Sequence, residues 1–146
     1  MTMHWAVITI LLMATGLFID AQQQAQRTSE QATLDSLSRN VLVYRAAVAE
    51  FAKSNPGFNG VPDDASFSLA PWFVKPEGVA SYLEAGTAYT YVHGDSPPGL
   101  TSALVDLTQS IAIGVNRTGI LISPSMGSTG ISIPAAIPEG AVVAVN

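Results

Sequence analysis

The sequence predicts an α+β protein in which one long, membrane-anchored N-terminal helix is packed on a small antiparallel β-sheet. Three observations carry this. An apolar block from Trp5 to Ile19 contains no Lys, Arg, Asp or Glu and is closed by Asp20. Helix-forming residues then continue from Ala21 to Phe51 without Gly or Pro until Pro56-Gly57. Beyond Pro56, short runs rich in Val, Ile, Tyr and Thr alternate with Gly- and Pro-containing turns. The organisation that follows is a membrane anchor or uncleaved signal over 1–20, an amphipathic stalk helix over 21–55 and a small extracytoplasmic head over 56–146.

The first block is taken as the anchor on length and flanks. A spanning helix needs about 20 residues and the core of a cleaved signal about 7 to 15, so Trp5 to Ile19 admits both. Ile19-Asp20-Ala21 would serve a signal peptidase, but Met1-Thr-Met-His4 has no basic residue and the polar sequence after Ala21 continues the helix. The retained anchor is therefore the expectation, with Trp5, Ile8, Leu11, Leu12, Leu17, Phe18 and Ile19 facing lipid. A short N-terminal tail before a large C-terminal body gives a single pass with the head outside the cytoplasm. Gly16 has no small residue four positions away, so a GxxxG pairing face is not indicated.

Within the stalk, Leu34, Leu37, Val41, Tyr44, Val48 and Phe51 recur at 3-4-3-4-3 spacing, the pattern of a seam against another helix or a surface. This seam is the candidate partner-binding face. From Val41 onward Leu42, Ala46, Ala47 and Ala49 widen it, which suits burial against a sheet, whereas Ala21 to Asn40 reads as an exposed spacer or partner helix. Asp35, Ser38, Arg39, Arg45 and Glu50 fall on the opposite face. Lys53 complements the helix dipole, and Asn55-Pro56-Gly57 ends the helix.

The head opens with an aromatic, proline-punctuated connection, Phe58 to Pro76, expected to lie against the helix and sheet. Val79–Leu83 and Thr87–Val92 read as strands around Glu84-Ala85-Gly86. A short helix capped by Thr101 or Ser102 runs to Gln109, with Leu100, Leu104 and Leu107 or Thr108 on one side. Ile111–Val115 and Gly119–Ser123 form a hairpin turning through Asn116-Arg117-Thr118. Pro124 to Gly130 reads as a flexible loop, followed by strands at Ile131–Ile133 and Ala141–Val145. About five strands are expected.

Composition excludes several functions. The chain has 6 Lys and Arg against 11 Asp and Glu, a net charge of −5, and its bases are scattered. A nucleic-acid surface needs clustered cations, so no nucleic acid is expected. Zero cysteines exclude disulfides, thiol catalysis and thiolate-bound metals. Beyond the membrane block the one histidine is His93; at a strand end before Gly94-Asp95 it is read as solvated, and not as a catalytic base. Asp63-Asp64 reads as turn or cap acids. Gly127-Ser-Thr-Gly130 fails the nucleophile-elbow pattern. Gly94–Gly99 and Gly114–Gly119 lack the lysine of a phosphate loop, and Asn116-Arg117-Thr118 is a short glycosylation-type triplet. No catalytic residue, cofactor or metal site is expected, and the chain is read as no enzyme.

An anchor that runs into a soluble helix ending near residue 54, then an aromatic loop and antiparallel hairpins, resembles the pilin-like architecture, with a ferredoxin-like head as the competing fold. The chain's size and the run Tyr44-Arg-Ala-Ala-Val-Ala-Glu-Phe-Ala-Lys-Ser-Asn-Pro-Gly-Phe58 resemble the PilM family of small proteins of thin, type IVB pili of conjugative plasmids. The resemblance implies an accessory role in pilus assembly through protein–protein contacts, in the bacterial inner membrane with a periplasmic head. Implied partners are other pilus assembly proteins; from the stalk's own pattern, homo-oligomers through the stalk are a further expectation. Pilins proper resemble one another in a charged leader ending in Gly and often a Glu early in the mature chain. Met1-Thr-Met-His4 supplies no such leader and the block no Glu, so a scaffold contacting partners through Leu34, Leu37 and Val41 is expected over a minor fibre component. A periplasmic envelope enzyme is the remaining alternative.

Overall fold

A computed structural model describes residues 2–146. Helix α1 runs Thr2–Ser54, 53 residues without interruption. Two compact units share it, one reaching Thr33 and the other comprising Leu34–Asn146. In the first unit the described side chains are exposed throughout. Its threonines return their hydroxyls to the helix: Thr9 donates to Trp5 O (2.8 Å) and Thr15 to Leu11 O (2.7 Å). Thr28 and Thr33 in the polar segment do the same, to Gln24 O (2.9 Å) and Ser29 O (3.0 Å), so this is a local property of threonine on a helix.

In the second unit the sheet is six-stranded, in the order β1-β2-β6-β3-β4-β5, with every neighbouring pair antiparallel. The strands are β1 (Val79–Glu84), β2 (Thr87–Val92), β3 (Ile113–Arg117), β4 (Ile120–Ser123), β5 (Gly127–Ser132) and β6 (Val142–Val145). Helix α2 (Leu100–Thr108) joins β2 to β3. Both strands are antiparallel to β6, hence parallel to each other, and parallel strands require such a crossover. The C-terminal strand enters the gap the crossover leaves and becomes central. All four residues of β6 are buried.

Strand alternation divides the apolar side chains between two cores. On one face Val79, Leu83, Ala88, Val92, Ile113, Val142 and Ala144 meet Val41, Tyr44, Val48 and Ala52 of α1 and Leu100 and Leu104 of α2. On the other, Tyr89, Leu121, Val143 and Val145 are closed over by Ile133, Ile137 and Ala141 from the β5–β6 connection.

Several expectations change here. Among the described residues there are six strands, because Gly127 to Gly130, read as a flexible loop, begins β5 and pairs with β4 across a register shift. Glycines at φ +79 and +74 (Gly127 and Gly130) give the segment a loop's composition while the ladder bonds hold it. The second hairpin turns at Thr118-Gly119, both with positive φ, as a two-residue loop between twisted strands requires. Asn116 and Arg117 therefore belong to β3. Helix α2 begins at Leu100 after Gly99 (φ +84) with no side-chain cap; Thr101 and Ser102 lie inside its first turn. Leu100 and Leu104 are 1% exposed, whereas Leu107 is exposed and half-buried Thr108 completes the stripe.

Asn116 is 4% exposed and holds the connection that closes the second core. Its Nδ2 donates to Ile137 O (3.1 Å) and Pro138 O (3.0 Å), and its Oδ1 accepts from Gly119 N (3.2 Å). With its amide so committed it is no glycan acceptor in the folded chain. Asn116→Ala is expected to lower unfolding free energy by about 2–4 kcal/mol, the scale for leaving several buried backbone groups unpaired, read as a shifted urea midpoint.

Candidate partner-binding face and membrane segment

The 3-4 seam of α1 is the wall of the head's own core. Val41 and Tyr44 are 1% exposed and Val48 is 0%. Leu34, Leu37 and Phe51 are half-buried and packed against the same cluster. The expectation of a partner-binding seam is corrected accordingly: α2, the sheet and the aromatic connection occupy this face. Of Leu34, Leu37 and Val41, Val41 has no surface left for a partner, while half-buried Leu34 and Leu37 keep part of theirs; Leu34 Cδ2 lies 3.6 Å from where a Gly99 β-carbon would stand. The exposed spacer ends at Thr33 and not at Asn40. The reason is physical: a helix that seats on another helix and one that seats on a sheet share a periodicity near 3.5, and periodicity does not name the neighbour.

The buried stripe is also wider than the apolar residues. Ser38, placed by periodicity on the polar face, is 0% exposed and returns its hydroxyl to Leu34 O at 2.7 Å. Arg45 is half-buried and its Nη2 donates to Val145 O at 2.8 Å, bonding helix to central strand. Burial holds its pKa below the usual arginine value.

Tyr44 organises a polar knot that sequence reasoning missed. Its hydroxyl donates to Asp64 Oδ1 (2.7 Å) and lies 3.2 Å from Ser81 Oγ of β1. Asp64 Oδ2 accepts from Lys75 Nζ at 2.6 Å, and the ammonium stands 5.5 Å from the Tyr44 ring centroid. Burial pushes the Tyr44 phenol well above its ordinary pKa, and neighbouring Asp64 adds to this, so it stays a neutral donor. Asp64 is pushed upward by burial, but its bonds from Lys75 and Tyr44 together outweigh that and hold it below the ordinary carboxylate value. Asp63 caps the 3₁₀ turn Asp64–Ser66 by accepting from Ala65 N. The one available signal was chemical: a tyrosine inside an apolar seam needs a partner for its hydroxyl.

A pH dependence follows with a definite sign. A carboxylate whose folded pKa is depressed contributes stability above its unfolded value, here about 3.8, and loses it as pH falls through the lower folded value. Thermal melts across pH 2–6 should show the head losing stability below about pH 4. Asp64→Asn should be less stable at pH 6 and flatter across that acid range.

The aromatic connection packs on α1 through edge-to-face rings: Phe58 on Phe51 (5.4 Å), Phe51 on Phe67 (5.4 Å) and Phe67 on Tyr44 (5.6 Å). Leu69 and Phe73 also join the core. Val61, Trp72 and Val74 of the same connection do not; they are 68%, 71% and 79% exposed. His93 is exposed just beyond β2, its ring 6.2 Å from Tyr91, and Asp95 is exposed.

The apolar N-terminal segment has the opposite character from the seam. Trp5, Ile8, Leu11, Leu12, Leu17, Phe18 and Ile19 are each between 49% and 78% exposed. By length and composition α1 is able to cross a membrane, and its most apolar window is not covered by protein. A side-chain surface this apolar is stable only against lipid or another apolar partner.

Comparison with known proteins adds the following. The family model described as PilM matches residues 7–145. A crystal structure of a PilM protein from Pseudomonas aeruginosa 2192 is 42% identical, with a TM-score of 0.51, covering 77% of this chain and 92% of that one. A second, a PilM protein from Escherichia coli B7A, is 18% identical with a TM-score of 0.60, covering 80% of this chain and 93% of that one; at that identity the likeness is one of fold. None of the curated proteins matches the chain.

Proposed function

Because the chain belongs to the PilM family, whose members have a role connected with pilus biogenesis, we propose that it is an inner-membrane scaffold in assembly of a conjugative, type IVB thin pilus. In this reading the first helix is a retained single-pass anchor, the head stands in the periplasm, and the protein acts by contacts with other assembly proteins and not by chemistry. The observation that carries it is the contrast along α1. The apolar side chains up to Ile19 have no protein cover, while those from Val41 onward are spent on the head's core. One helix thus joins a lipid-seeking surface to a folded body.

The unbroken run of α1 from apolar block into head core also favours a second reading, a minor pilin-like component drawn into the fibre. The test is the fate of the N-terminus. The full chain is expressed in a Gram-negative host carrying the pilus genes, the envelope is fractionated, and intact mass and first residue are determined. An unprocessed chain in the inner membrane, absent from sheared fibres, is the expected result. A form beginning near Gln22 and released to the periplasm overturns the anchor. Recovery in sheared fibres establishes the second reading instead.

A further inference from the structure

The strap from Ser66 to Lys75 carries two surface features whose shapes and chemistry complement one another. The first is a projection. Trp72 and Val74 are 71% and 79% exposed although Leu69 and Phe73 beside them are packed into the core. The strap is held from both sides of the projection: Phe73 N donates to Ala70 O (2.9 Å), Lys75 is bonded to Asp64, and Pro71 and Pro76 bracket the exposed pair. A rigid, exposed tryptophan gains the most by burial and loses little side-chain freedom in doing so.

The second feature is a groove of about 160 Å³ between the last turns of α1 and the start of the strap. Ala47, Phe51 and Phe67 supply its apolar floor, and exposed Glu50, Ser54, Asn55, Ser66 and Ser68 supply the polar rim, the larger part of the lining. This groove is open to solvent; an aromatic ring laid on its Phe51–Phe67 floor would have the Glu50 carboxylate at the rim as an acceptor for an N–H. The chain's own Trp72, at 71% exposure, does not fill it.

We propose that the occupant is a second copy of this chain, each copy seating its Trp72 in the other's Phe51–Phe67 groove. Two observations select a copy over a different protein. Groove wall and projection lie within one short strap, Ser66–Ser68 and Trp72–Val74, so the two halves of a reciprocal contact are only a few residues apart, as an isologous interface requires. The charges also match: Lys75 flanks the projection and Glu50 the groove, and the ammonium has donors beyond the one given to Asp64. The contact is distinct from the stalk seam, which the head's core occupies.

The chain has no cysteine, so introduced ones report cleanly. Full-length protein bearing Val74→Cys is mixed in detergent with full-length protein bearing Ser54→Cys and mildly oxidised; a parallel mixture uses Ser132→Cys, on exposed β5, in place of Ser54→Cys. The expected result is a 54–74 cross-link about tenfold or more above the 132–74 control, falling to the control level when Trp72→Ala is added to both copies, as the loss of a tryptophan anchor predicts. The melting temperature of Trp72→Ala should match that of the wild type, because so exposed a side chain leaves no cavity. Equal yields from the two mixtures overturn the proposal. So does a 54–74 cross-link indifferent to Trp72→Ala, which would place pairing in the membrane segment. A strictly monomeric chain in which Trp72→Ala nevertheless abolishes piliation also overturns it and assigns the projection to a different protein.

Discussion

Gly114→Ala is expected to unfold the head under conditions where the wild type is stable. Gly114 is buried in β3, and a β-carbon built on it would collide with Ile122 O and stand 2.7 Å from Ile122 C and 3.1 Å from Ser123 N. All three are backbone atoms of β4, so no side-chain rotation relieves the contact. The strands themselves would have to separate, and β3 also pairs with central β6 through Ile113, Gly114 and Val115. Overpacking ordinarily costs about 1–3 kcal/mol; with only backbone to displace, roughly 3 kcal/mol or more is expected here. For a domain of this size that is a fall in melting temperature on the order of 10 °C or more. Gly57→Ala is the matched control, because a β-carbon there meets nothing within 4 Å. A Gly114→Ala protein melting with the Gly57→Ala control would mean that β3 and β4 do not approach as described.

Val48→Asp is the second large effect, and it separates the two roles that periodicity left open for α1. Val48 is 0% exposed between the sheet and the aromatic connection. An aspartate there either carries an unpaired charge into an apolar core or is protonated at a similar cost; several kcal/mol is the expected loss, comparable with the roughly 5–15 kcal/mol that a domain has in total. The full chain in detergent should lose its near-UV circular dichroism and become open to protease. Ala46→Asp, on an exposed position of the same helix, should stay within about 1 kcal/mol of wild type. Were Val48→Asp to fold and melt normally while losing a pilus partner, the seam would be a docking face after all.

The features legible in the sequence were those written in local chemistry. An uncharged block, the absence of Gly and Pro up to Pro56, and Asn55-Pro56-Gly57 at the helix end placed α1 and its stop at Ser54. Alternation in Thr87 to Val92 and the turn read at Glu84-Ala85-Gly86 placed the first hairpin; Glu84 closes β1 instead, and the two turn residues, Ala85 and Gly86, have positive φ. Polar tips were the least legible. Ser38 and Arg45 looked like solvent-facing residues of an amphipathic helix, and only the packed sheet made one a buried back-bonding hydroxyl and the other a half-buried tie to Val145 O.

The candidate site divides along the same line. Apolar character alone identifies Trp5 to Ile19 as a surface that water does not favour, because transfer free energy is a property of the residues themselves. What Leu34, Leu37, Val41, Tyr44, Val48 and Phe51 touch is not such a property. It depends on β6 returning from the end of the chain to the middle of the sheet, on α2 crossing between β2 and β3, and on the Phe58–Phe67 rings folding onto Phe51. A stripe at helical spacing states that one face will be buried, and only contacts distant in sequence decide by what. The sequence by itself determined an uncharged apolar N-terminal block leading into an amphipathic helix and antiparallel strands. Tertiary structure decided that this helix from Leu34 onward belongs to the head, and that Trp72 and Val74 are left exposed at its surface.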